Sequence, residues 1–154
     1  MPSPIFQRRA ILAASLLFAT LALLGCASGA TNAAGSGGAA TVTRVSAPGG
    51  SYTNVSPAML AQMLTKKDFL FVNVHVPYEG EIAQADLFLP YDQVASNLSK
   101  LPADKGAKIV LYCRSGSMST TAAQTLVRLG YSNVWNLDGG MNGWKQAGLP
   151  VSSK

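Results

Sequence analysis

Past residue 50 the chain alternates short β-rich apolar runs with stretches whose apolar positions recur at helical spacing. That alternation predicts an α/β fold, a parallel sheet with helices on its faces. Residues 51–54 read as an edge strand. Ser56 caps a helix with Pro57 at its first position, and Met59, Leu60, Met63 and Leu64 form its apolar face, which ends near Lys66 and Lys67. Residues 69–74 are almost continuously apolar, as a central strand covered on both sides must be. A weaker strand over 86–89 closes at Pro90, a short helix follows around 93–98, and 109–112 is a second buried strand. The spacing of Ala122, Ala123, Leu126 and Leu129 predicts a helix over 118–129 with Gly130 as its left-handed cap. A last strand over 134–137 turns through Asp138-Gly139-Gly140 into a helix carrying Trp144, and Gly148-Leu149-Pro150 ends it.

The first 50 residues follow different rules. A basic start with Arg8 and Arg9 precedes an uninterrupted apolar run over 10–24, then Gly25 and Cys26. A 15-residue helix rises only about 22 Å, short of the roughly 30 Å hydrocarbon core, so the run reads as a removable signal peptide over 1–25 rather than a span. The junction Leu23-Leu24-Gly25-Cys26 resembles the bacterial lipobox, which implies lipidation of Cys26 and attachment to a membrane without crossing it. Ala27, not Asp, after the lipidated position resembles lipoproteins sent to the periplasmic face of an outer membrane where one exists. Residues 27–50, mostly Ala, Gly, Ser and Thr, bury too little apolar surface to order themselves and are expected to form, with Cys26, a flexible tether over 26–50. The remainder, 51–152, is long enough for one domain.

The formal charge of +5 falls to +3 once Arg8 and Arg9 leave with the signal peptide. The remaining basic residues are scattered, with no stripe to follow a phosphate backbone, which argues against nucleic-acid binding.

The chemistry concentrates in Tyr112-Cys113-Arg114-Ser115-Gly116-Ser117-Met118-Ser119, between a buried strand and a helix. Ligands bind at such C-terminal strand ends in open α/β sheets. Inward N–H groups of a small-residue loop, and the positive end of the following helix, favour a thiolate. Lipidation of Cys26 would leave Cys113 without an intramolecular partner, so it reads as a nucleophile rather than half of a disulfide.

These motifs, with Leu137-Asp138-Gly139-Gly140-Met141, Trp144 and Gly148-Leu149-Pro150-Val151, make residues 51–152 resemble a single-domain rhodanese. The resemblance implies a five-stranded parallel sheet flanked by helices. It implies a sulfurtransferase in which Cys113 takes a sulfane sulfur from a small-molecule donor as a persulfide and passes it to a thiol or other thiophilic acceptor. Arg114, Ser115, Gly116, Ser117, Met118 and Ser119 then form the substrate-binding loop, with no cofactor and no metal.

The chain also departs from the family pattern. Asn73-Val74-His75 stands where Asp-Val-Arg is usual, Gly80-Glu81-Ile82 stands for Gly-His-Ile, and Met118 for a common arginine. These changes weaken the case for an anionic donor such as thiosulfate. His75, the only histidine, is expected to serve a structural or supporting polar role, and Glu79, Glu81 and Asp86 to be solvated loop charges. Cysteine phosphatases and arsenate reductases share the architecture but need an arginine six positions after the cysteine, where this chain has Ser119. A non-catalytic binding or thiol redox-sensing module is the alternative from a different class.

Overall fold

The computed structural model describes residues 38–152. The expected signal peptide, Cys26 and the first part of the expected tether lie outside the described residues. Six strands, β1 Val42–Ala47, β2 Gly50–Val55, β3 Leu70–Asn73, β4 Leu87–Phe88, β5 Ile109–Tyr112 and β6 Val134–Leu137, join one sheet in the order β1-β2-β6-β5-β3-β4. Among the described residues three α-helices, α1 Pro57–Leu64, α2 Ser117–Arg128 and α3 Gly140–Gln146, connect or flank them.

Five strands, β2 to β6, run parallel, as the sequence implies, but β1 adds a sixth, antiparallel to β2 from Val42 opposite Val55 to Ala47 opposite Gly50. The expected tether over 26–50 is therefore corrected at its end: the domain begins before Ser51, and β1 takes the edge expected for 51–54. A Pro48-Gly49 turn joins the two strands, and Gly49 has φ +89° with room for a Cβ only 3.3 Å from the Cα of Arg128. That combination of left-handed backbone and close approach selects glycine. The short helix expected around 93–98 is also corrected. It is two 3-10 segments, Tyr91–Gln93 and Ala95–Lys100, with Asn97 outside helical φ/ψ.

The core lies on both faces of the sheet. Val72, Val74, Ile109, Leu111 and Val134 pack with Ala122, Ala123, Leu126 and Val127 of α2 on one side. Phe71, Val110, Tyr112 and Leu137 pack with Leu60 and Leu64 of α1 and with Met141 and Trp144 of α3 on the other. Alternate residues of β3 and β5 thus enter opposite cores, which is why both strands read as continuous apolar runs.

Ser56 does two jobs at the start of α1. Its Oγ accepts the N–H of Met59 at 3.3 Å as a helix cap, accepts the N–H of Thr41 at 2.9 Å, and donates to the carbonyl of Ala39 at 3.0 Å. One hydroxyl caps the helix and fixes the entering chain beside it.

Candidate active site

Strand β5 delivers Cys113 to the C-terminal edge of the sheet, between β3 and β6. The thiol is 1% exposed, at the floor of the loop leading into α2. Gly116, the N-cap of α2 with φ 94°, donates its backbone N–H to Cys113 Sγ at 3.1 Å. Ser119, fully buried, holds its Oγ 3.5 Å from the same sulfur and 3.1 Å from the carbonyl of Gly116. The N–H groups of Ser117, Met118 and Ser119 open α2 and have no partner four residues back, so the helix presents its positive end beside the thiol.

Behind the loop stands a turn the chain reaches only 27 residues later. Met141 donates its N–H to the carbonyl of Cys113 at 2.9 Å, and Asn142 donates to that of Arg114 at 2.9 Å. These two bonds tie the first two peptides of the cysteine loop to the start of α3. Gly140 makes the approach possible: a Cβ there would lie 2.3 Å from the Cys113 carbonyl oxygen.

The sequence-read loop residues divide in their placement. Gly116 and Ser119 are buried beside the sulfur, and half-buried Met118 packs against the core that contains Cys113. Arg114, Ser115 and Ser117 are exposed. Ser115 and Ser117 line an open polar groove of about 500 Å³ with Asn54, Thr120, Asn136 and Asp138.

The segment after β3 supplies the other wall. Asn73, 1% exposed, accepts the N–H of His75 at 3.0 Å and donates to the carbonyl of Gly80 at 2.9 Å, closing the intervening loop. An amide serves both contacts because it carries a donor and an acceptor, whereas an ionised Asp only accepts. His75 is buried, with Nε2 3.3 Å from Glu79 Oε2 but outside hydrogen-bond alignment. Arg114 Nη1 lies 3.0 Å from Glu79 Oε1.

Glu79 and Asp86 are therefore not merely solvated. Asp86 accepts the N–H of Phe71 at 2.7 Å and pairs with Lys67. Tyr112 has a role that the sequence does not mark: its Oη accepts the N–H of Ile82 at 3.1 Å, and burial pushes this phenol's pKa well above the ordinary range. No local pattern marks these partners, since Tyr112 lies 30 residues from Ile82 and Glu79 lies 35 from Arg114.

Relatives place this geometry in context. A sulfurtransferase of Allochromatium vinosum is 35% identical over 99 residues, covering 62% of this chain and 90% of that protein. A tRNA uridine(34) hydroxylase of Escherichia coli is 31% identical over 99 residues, which cover 58% of this chain but only 28% of the hydroxylase. Among solved structures, a rhodanese-related protein from Thermoplasma volcanium superposes with TM-score 0.56 at 26% identity, covering 66% of this chain and 98% of that one. A rhodanese-like domain protein from Staphylococcus aureus gives 0.54 at 25%, covering 65% and 98%. The rhodanese-like domain model matches residues 56–147, from the cap of α1 to the end of α3 and across the whole cysteine loop. By that match the chain belongs to the rhodanese-like domain family.

Proposed function

We propose that the protein is an exported, lipid-anchored sulfurtransferase that carries a sulfane sulfur on Cys113. The observation that carries this reading is the 3.1 Å N–H···S contact from Gly116 at the mouth of α2, because it places positive potential where a sulfur anion forms. In the first half-reaction the Cys113 thiolate attacks the outer sulfur of the donor. The donor's S–S bond breaks, its electron pair leaves with the remaining group, and Cys113 becomes a persulfide. In the second, an acceptor thiolate attacks the terminal sulfur, and Cys113 departs as thiolate. This is covalent, two-step catalysis with no net oxidation.

The sulfur enters on a small-molecule donor and leaves on a thiol or other thiophilic acceptor, and membrane attachment through Cys26 would put the reaction in the cell envelope. The named activity of the Allochromatium relative supports the chemistry, and the lipobox-like junction supports the location.

Incubation with a sulfane donor, followed by intact mass, tests the reading. The expected result is the mass of one added sulfur, removable by cyanide and absent in Cys113→Ser. The near-complete burial of Cys113 favours a second reading, a binding or thiol-sensing module without turnover. Failure of every donor to load Cys113 would establish that module instead.

A further inference from the structure

Arg114 is the only charged side chain from Tyr112 to Ser119, so it alone could give the loop entrance a cationic lip. It is 57% exposed and well placed to attract an anion, but Glu79 Oε1 already holds its Nη1 at 3.0 Å. The second oxygen of that carboxylate lies 3.3 Å from Nε2 of the buried His75. His75 and Glu79 belong to a loop whose ends Asn73 ties together, with contacts at 3.0 Å to the His75 N–H and 2.9 Å to the Gly80 carbonyl. The carboxylate is thus presented to Arg114 from a braced segment rather than from a free loop. Met118, half-buried against the core that contains Cys113, adds no charge to the loop.

From this arrangement we infer that Glu79 is a specificity-determining residue: it masks Arg114 and biases the entrance against dianionic donors such as thiosulfate, in favour of organic hydropersulfides. With either donor the thiolate chemistry is the same. Attack on thiosulfate releases sulfite, and attack on a hydropersulfide R–S–SH releases the thiolate RS⁻ while the outer sulfur keeps its proton. What Glu79 changes is the potential that the incoming charge meets before it reaches the sulfur. The donor preference rests on the sulfurtransferase reading, whereas the masking itself does not.

The test has two arms on the full chain. Cys113 is alkylated with iodoacetate, an anion, and with uncharged iodoacetamide, and the modification is followed on the Cys113 peptide. Glu79→Gln raises the ratio of anionic to neutral rates about fivefold, the scale of an exposed ion pair, and adding Arg114→Gln removes the gain. In the second arm, sulfur loading from thiosulfate relative to an alkyl hydropersulfide rises by a similar factor in Glu79→Gln. Equal changes in both alkylation rates, an unmoved ratio, or a gain that survives Arg114→Gln would each overturn the masking. If no donor loads Cys113 while the alkylation ratio responds, the sulfurtransferase reading fails and the masking stands. If donors load but neither ratio moves, the masking fails alone.

Discussion

Ser119 Oγ lies 3.5 Å from Cys113 Sγ and 3.1 Å from the carbonyl of Gly116, with one proton to serve both acceptors. The shorter contact takes that proton while the sulfur is neutral. Once the sulfur carries charge, the charge-assisted bond is the stronger one, and the hydroxyl rotates toward it.

Ser119→Ala therefore slows sulfur loading of Cys113 about tenfold, the scale of one hydrogen bond to a charged group. The thermal midpoint changes little by comparison, because the Gly116 carbonyl still accepts the N–H of Thr120 at 3.0 Å. Single-turnover loading followed by mass, read beside a melting curve, checks this. An unchanged loading rate would remove Ser119 from the site.

Gly140→Ala is expected to cost about 3 kcal/mol or more, through backbone strain and a forced shift of the cysteine loop. The added Cβ meets the Cys113 carbonyl oxygen at 2.3 Å, at a residue whose φ is +56°. Gly148→Ala is the control: its φ is +77°, but nothing lies within 4 Å of a Cβ there. Left-handed backbone strain alone costs that variant roughly 1–2 kcal/mol. Equal losses for the two variants in denaturant unfolding would mean that the loop does not depend on the close approach.

Tyr112 makes the fold sensitive to alkali. Burial raises its pKa above the ordinary 10.0, opposed in part by the hydrogen bond from Ile82. The unfolded chain therefore loses this proton at lower pH than the folded one. Its stabilising contribution is complete below pH 10 and declines as pH rises beyond it. Tyr112→Phe leaves the Ile82 N–H without its acceptor, costs about 1–3 kcal/mol at neutral pH, and flattens the alkaline decline. Urea midpoints measured from neutral to strongly alkaline pH report both effects. Parallel curves for the two proteins would disprove the assignment.

Anchoring is tested at the other end of the chain. Cys26→Ser is expected to abolish incorporation of labelled fatty acid and to move the protein from the membrane fraction to the soluble one. The lipid anchor is refuted if the wild-type chain carries no lipid at its mature N-terminus.

The sequence alone determined what depends on neighbours along the chain. The apolar runs of β3 and β5, the Ser56-Pro57 start of α1, the glycine after α2 and the cysteine loop between a strand and a helix are all local signals. Each reflects backbone preference or periodicity within a few residues. Strand β1 carried a readable cue as well, two Thr- and Val-containing runs about a Pro48-Gly49 turn, but the Ala/Gly/Ser composition before it obscured the hairpin. Only tertiary structure decided that Gly140 would stand against the Cys113 carbonyl, that Glu79 would hold Arg114, and that Asn73 would close its loop with both ends of one amide. These are contacts of a few ångströms between groups brought together by sheet order and helix packing. The geometry of such a contact, and so its energy, is set by the assembled backbone, not by either residue's local sequence.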